Sequence, residues 1–294
     1  MSPRKIFHLK LPSGTLTLGK RTLVMGVLNV TPDSFSDGGK FFDAQRAVQH
    51  ALAIERDGAD IVDVGAESTR PGSEEISVAE ELSRLLPVLE QLRGKLKIPI
   101  SVDTQKATVA EMALGAGAEI INDISGLRTD PELARVAAQH EAALILMHMR
   151  GTPRTMQKGP FARDVMRDVV SGLQQSITTA KKHGVPRSQI VIDPGIGFGK
   201  NHAQNYELLA KLPELAKLGY PLMIGTSRKG FLGATLAKNG KPAPVEERIW
   251  ATAATVAASI LNGAHVVRVH DVAEMKQIAL VTDALLSAST IRRS

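Results

Sequence analysis

Cysteine is absent from the 294 residues. That excludes disulfides, thiolate metal sites and cysteine nucleophiles, and it fits a reducing compartment. Any metal must therefore be held by oxygen or imidazole. Aromatic residues make up only 3% of the chain, so bases would find few rings to stack on, and the net charge of +6 does not read as a nucleic-acid surface. The 36 Lys and Arg are scattered among 30 Asp and Glu, with no basic run longer than Lys181-Lys182 or Arg292-Arg293. A weak positive field of this kind suits a small anionic substrate. No stretch approaches the roughly 20 apolar residues that a membrane span needs. The opening MSPRKIFHLKLPSG carries basic residues without the apolar run of a secretory signal. The expectation is a soluble, cytoplasmic protein with small-molecule substrates and neither nucleic acid nor membrane as partner.

What the chain does have is a repeated unit. Short apolar runs with β-branched residues occur eight times: LVMGVLNV, ADIVDVGA, IPISVDT, AEIINDIS, AALILMHM, QIVIDPG, YPLMIGTS and AHVVRVHD. Helical stretches such as FDAQRAVQHALAIERDG and SVAEELSRLLPVLEQLRG lie between them, several ending in Gly as a helix C-terminus does. Eight βα units over roughly 250 residues predict a closed (β/α)8 TIM barrel rather than a doubly wound open sheet. Residues 1–22 alternate around Ser13-Gly14 and predict a β-hairpin that plugs the bottom of the barrel, which itself takes residues 23–294. No linker divides the chain, so 1–294 reads as one domain. The longest irregular insertion in this reading is KNGKPAPVEE at 238–247.

In such a barrel the chemistry sits where the strands end. Those ends carry Asn29 and Thr31, Glu67 to Arg70, Asp103, Asn122, His148, Asp193, Ser227 to Lys229, and Arg268 with His270. One polar strand end is ordinarily the start of a solvated loop; a mouth lined on all sides predicts a ligand. Arg268 and His270 are two apart on one strand and face the same way, which predicts an anion site, with Val267 and Val269 turned against the helices. Asp193 follows a wholly apolar run and either accepts from a ligand's N–H groups or caps the PGIGFGK turn. Three glycines in that turn resemble a phosphate loop only weakly, since the spacing is not that of a nucleotide fingerprint. His148 reads more readily as a hydrogen-bonded structural group than as a catalyst. Asp63, inside a strand, must be paired within the barrel if it points inward. The residues alone thus end at a barrel enzyme whose mouth handles an anion, with or without a hard metal ion.

The motifs NVTPDSFSDGG, DVGAESTRPG, SVDT, INDISG, MHMRGTPRTMQ, IDPGIGFGK, GTSRKGFLG and RVHDV run in order through nearly the whole chain and resemble the dihydropteroate synthase family. The resemblance implies a transferase of folate biosynthesis that joins a dihydropterin methyl diphosphate to p-aminobenzoate with Mg²⁺. It assigns Asn29 to the metal and, with Thr69, Arg268 and His270, to the diphosphate. Asp193, Asp103 and Asn122 would hold the pterin edge, Lys229 its carbonyl side and Met147 its face. Phe35, Pro71, Phe198 and Lys229 would frame the p-aminobenzoate pocket, Arg70 would be a further substrate-binding residue, and the helix after Gly230 would meet the benzoate carboxylate. Catalysis is assigned to Asn29, Asp103, Lys229 and Arg268. The loop from Thr31 to Gly39 would close over the site. Gly230 stands where some members carry a hydroxyl residue, which leaves a side-chain contact to the second substrate unfilled. The family also implies a homodimer, with WATAATVAASILNGA near 250–264 as one contact, unless that stretch simply packs on the barrel. A pterin-dependent methyltransferase barrel would not need the STRPG and SRKG motifs. A binding protein without turnover should have lost Asn29, Arg268 or Lys229.

Overall fold

The computed structural model describes residues 4–31, 40–69 and 72–290. The chain opens with β1 (Phe7–Leu11) and β2 (Gly14–Leu18), an antiparallel hairpin in which Leu11 faces Gly14. It then alternates strand and helix. In order come β3 (Leu23–Asn29), α1 (Lys40–Arg56), β4 (Ile61–Gly65), α2 (Val78–Leu92), β5 (Ile100–Asp103), α3 (Ala107–Gly115), β6 (Ile120–Asp123) and α4 (Glu132–Gln139). The second half follows with β7 (Ala143–Met147), α5 (Val165–Lys182), β8 (Ile190–Asp193), α6 (His202–Ala210), α7 (Leu212–Leu215), β9 (Met223–Ile224), α8 (Gly230–Thr235), α9 (Ile249–Leu261), β10 (Val266–Val269) and α10 (Val272–Thr290).

The strands from β3 to β10 form one all-parallel sheet in the order β8-β7-β6-β5-β4-β3-β10-β9. A parallel bridge between Ile192 and Leu222 joins its two edges, with the Ile192 N–H donating to the Pro221 carbonyl at 3.0 Å, so the sheet closes on itself. The expected eight-stranded barrel with a hairpin is what forms. Both strand faces are covered, the inner by the barrel interior and the outer by helices, which is why the strands read as near-continuous apolar runs. Alternation still assigns the faces. Val24, Val62, Val102, Ile121, Leu144 and Val267 join the large cluster under the helices, while Met25, Ile61, Ile120, Ile145, Val191, Met223 and Val266 fill the interior. At Gly26 a Cβ would lie 2.4 Å from Ile54 on α1, so glycine lets that helix approach. Helix starts follow the sequence: Ser77 caps α2, Asp164 caps α5, and Asn201 with Gln204 forms a capping box on α6.

The interior changes character along the barrel axis. At the lower end, Leu9, Leu11 and Leu18 of the hairpin pack with Met25, Ile61 and Ile120 and close the bottom. One layer higher, Asp63 and Ser101 sit side by side in register, and above them come Asp103, Asn122 and Asp193. An apolar plug below and a polar floor above leave the upper mouth as the place for a ligand. One expectation is corrected. Residues 148–164, between β7 and α5, contain no helix or strand and form a longer irregular connection than 238–247. Its Met and Gly content hides it in the sequence, because Met156 and Met149 are buried in a small cluster of their own and read like helix positions.

Candidate active site

Arg268 projects into the barrel from β10 and is held by two carboxylates. Its Nε donates to Asp63 Oδ2 at 2.6 Å and its Nη2 to Asp103 Oδ2 at 2.9 Å. Asp63 is fully buried and also accepts from Asn122 Nδ2 at 3.1 Å. From sequence alone Arg268 is a side chain pointing freely into an open mouth; the structure corrects this. Asp63 has to be paired to lie inside a strand, and Arg268 is the partner, so the guanidinium is fixed in direction with Nη1 left over for a ligand. Burial is the largest influence on the Asp103 carboxyl and, with the charge of Asp63, pushes it up to about 7 against the pull of Arg268. Three buried oxygens on this floor have no hydrogen-bond partner among the described residues: Asp63 Oδ1, Ser101 Oγ and Asn122 Oδ1. Orphaned buried acceptors at a barrel mouth are places where a ligand's N–H groups or water can bind.

Asp193 ends β8 with 4% of its surface exposed. Its Oδ1 accepts from the Gly195 N–H at 2.7 Å, and Oδ2 makes no hydrogen bond to a described residue. One oxygen thus caps the turn, as one reading of this residue expects, and the other has no partner among the described residues. Burial pushes the carboxyl up to about 6 against the pull of the Gly195 N–H, Lys229 and Lys200. Gly195 has φ +68, and a Cβ there would lie 1.9 Å from the His148 carbonyl, so no other residue fits this turn. Beyond it, Phe198 joins Ile124, Met147, Met149 and Met156 in an apolar patch. Lys229 lies over the Phe198 ring at 4.0 Å from its centroid, and burial with the nearby charge of Arg268 lowers it to about 8. A flat, donor-bearing ring could lie between this patch and the row Asp103, Asn122 and Asp193.

His270 continues the Arg268 face. Its backbone N–H donates to Ser227 Oγ at 3.2 Å, and its Nδ1 lies 3.0 Å from the same oxygen. In the Nε2–H tautomer, Nδ1 accepts from the Ser227 hydroxyl and the Nε2–H is kept for a ligand. Burial and the positive charge of Arg268 push this imidazole down to about 3. In the free protein His270 is therefore neutral and can serve an anion only as an N–H donor, so the charge of this site comes from Arg268. Asn29 ends β3 exposed, with no hydrogen bond from its side chain to a described residue. Thr69 follows β4 and is half-buried.

Residues 25–270 match the sequence profile of the pterin binding enzyme family. A dihydropteroate synthase of Synechocystis sp. is 50% identical over 267 residues, spanning 91% of this chain and 91% of that one. The chain belongs to the dihydropteroate synthase family. Solved members of the family share the fold. A Xanthomonas albilineans dihydropteroate synthase with 4-aminobenzoic acid superposes with a TM-score of 0.87 at 38% identity, covering 99% of this chain and 100% of that one. A Burkholderia cenocepacia dihydropteroate synthase complexed with 7,8-dihydropteroate gives 0.85 at 39% identity, covering 98% and 100%.

Of the residues that the family resemblance singles out, the barrel brings Asn29, Thr69, Asp103, Asn122, Met147, Asp193, Phe198, Lys229, Arg268 and His270 to its upper end. Phe35, Arg70 and Pro71, with the rest of the 32–39 loop, lie outside the described residues. Two lysines escape a reading of the sequence. Lys200 is buried, with Nζ 2.9 Å from the His148 carbonyl, 3.0 Å from the Phe198 carbonyl and 3.0 Å from His148 Nδ1. With Nδ1 accepting from a lysine, the ring of His148 turns Nε2 toward Asp168 at 3.5 Å. Lys200 thus holds the His148 ring, and burial and surrounding cations push it down to about 2. Lys106 is the second. A Lys three residues beyond a strand-end carboxylate is the available signal for it, and one after a Gly-rich turn for Lys200.

Proposed function

We propose that the barrel mouth condenses (7,8-dihydropterin-6-yl)methyl diphosphate with p-aminobenzoate, forming 7,8-dihydropteroate and diphosphate. The observation that carries this reading is the buried Asn122 Oδ1 without a partner among the described residues, between Asp103 and a half-free Asp193 and facing an apolar patch. Such a row of acceptors suits the amino and ring N–H edge of a pterin, with Met147 against its face and Lys229 toward its carbonyl. The names of the related enzymes and of their bound molecules support it.

In this reading the carbon–oxygen bond to diphosphate breaks and the arylamine nitrogen bonds to the same carbon, releasing a proton to water. The pterin ring carries the developing cationic methylene. Arg268 Nη1, the His270 Nε2–H and Thr69 would hold the departing diphosphate, each placed before the charge develops. Lys229, lowered to about 8, is still mostly charged at pH 7 and adds positive charge beside Asp193. An arylamine is neutral at pH 7, so the residues' task is to align it and exclude water. The donor set fits the expected Mg²⁺, because this ion keeps most of its water and needs one or two protein oxygens beside those of a diphosphate, and Asn29 offers such an oxygen. Bound there, it would neutralise leaving-group charge. Incubating purified protein with the pterin diphosphate, p-aminobenzoate and Mg²⁺ should yield dihydropteroate. Tight pterin binding without product would reduce the protein to a binding barrel.

The proposal extends to a cytoplasmic homodimer. Among the described helices none is long and apolar enough to cross a membrane. One face of α9 is buried on the barrel, but Trp250 is 78% exposed, and the adjacent α10 exposes Leu280 at 57%, Val281 at 62% and Leu285 at 58%. Apolar side chains gathered like this mark a contact surface. Changing Val281 and Leu285 together to lysine should turn a dimer into a folded monomer in sedimentation equilibrium; a dimer that survives would put the contact elsewhere.

A further inference from the structure

A lysine that the reaction does not use directly closes the neck of one active-site loop. Lys106 is 8% exposed, and its ammonium reaches three acceptors on the connection between β4 and α2 or on the helix that the connection enters. Glu67 Oε2 lies at 2.6 Å, the Ile76 carbonyl at 2.7 Å and Glu81 Oε2 at 2.7 Å. An ammonium has three N–H donors, so all are spent there. Glu67 leaves β4, Ile76 enters α2, and Glu81 lies in the first turns of that helix. The two ends of the loop are thus drawn to one point. Lys106 itself precedes α3, three residues beyond Asp103 on the pocket floor. The loop does not simply return. Its Gly72 N–H donates to the Pro153 carbonyl at 3.1 Å, so it meets the 148–164 connection that leaves β7.

A buried ion cluster is a poor way to gain stability, since apolar side chains of the same volume would often do as well. What it gives is register, because charged partners with directed hydrogen bonds accept few alternative alignments. Here the register matters for Thr69, which lies between the neck at Glu67 and the crossing at Gly72 and which the proposed reading assigns to the diphosphate. We infer that Lys106 is a positioning residue for the leaving-group end of the site, setting the neck of the 67–76 connection and through it the Thr69 hydroxyl. The inference rests on the pterin diphosphate reading given above.

The test separates the diphosphate end from the pterin end. Lys106→Met would leave Glu81 buried with no counter-charge and risks a protein that does not fold, so Glu67→Ala is the primary variant. It removes one arm and keeps the Lys106–Glu81 pair. Glu67→Ala should weaken inorganic diphosphate binding and raise KM for the pterin diphosphate by about tenfold, as expected for one lost charge-assisted bond. Affinity for a pterin lacking the diphosphate should stay within about twofold, and Lys106→Arg should fall between wild type and Glu67→Ala. Unchanged diphosphate affinity overturns the inference, and so does a parallel loss of pterin affinity, which would indicate general loosening. Wild-type protein that binds diphosphate but forms no dihydropteroate would sink the reaction and leave the variant comparison to decide the role of Lys106. Wild-type protein with no diphosphate affinity would sink both.

Discussion

Replacing Arg268 with alanine should cost most of the turnover and also destabilise the fold, by about 3 kcal/mol or more. A side chain at an open rim would cost activity alone. Arg268 instead holds Asp63, which is fully buried, and Asp103 beside it. Without the guanidinium, one of these carboxylates must take up a proton or stay charged in the barrel with no cation against it. Turnover should fall about a thousandfold, the scale on which a lost preorganised donor to developing charge acts. The two effects can be separated. Arg268→Met together with Asp63→Asn removes both charges of the tighter pair, and should recover much of the melting temperature while recovering none of the activity. If Arg268→Ala melts with wild type, the ion pairs with Asp63 and Asp103 contribute nothing and the residue is an anion ligand only.

The barrel is legible in the sequence because its information is one-dimensional. Eight apolar runs at a regular spacing, each followed by polar residues, leave few other ways to cover both faces of a parallel sheet. The hairpin is equally plain from the alternation around Ser13-Gly14. Strand parity places Arg268 and His270 on one inner face, but parity says only where a side chain points. Whether a buried guanidinium meets Asp63 depends on strands that are neighbours only once the sheet has closed, β10 beside β3 and β3 beside β4. The charge of His270 is hidden for the same reason: burial and Arg268 set it, and neither is a property of the local sequence. Lys106 and Lys200 escape notice because a lysine in a loop ordinarily reads as solvated. Both are buried with every donor in use, and each holds a connection that carries other site residues rather than touching a ligand. The long 148–164 connection is obscured by buried methionines that anchor it to Phe198.

Asp193→Asn should make the free protein more stable and the enzyme worse. Burial raises the carboxyl from 3.8 to about 6. Between about pH 4 and pH 6 the folded chain therefore keeps a proton that the unfolded chain has released, so the contribution of this group to stability falls as pH rises through that window and is least favourable above it. A rise of that size corresponds to about 3 kcal/mol at most. An amide is never charged, and its oxygen can still accept from the Gly195 N–H that Oδ1 now holds at 2.7 Å. The variant should thus melt a few degrees higher than wild type at pH 7, with the difference shrinking toward pH 4. Binding should move the other way. A carboxylate with one oxygen free can pair with two neighbouring N–H donors of a pterin, whereas an amide turned to keep the Gly195 bond presents its own NH₂ to those donors. The loss of a charge-assisted pair corresponds to about 10- to 100-fold in affinity. Wild-type affinity for an unreactive pterin should itself decline below about pH 6, as Asp193 takes up its proton, and the variant should show no such decline. Calorimetry across that range, with thermal melts of the free proteins, reads both effects. A variant that is less stable and binds the pterin as well as wild type would leave Asp193 as the cap of its turn and nothing more.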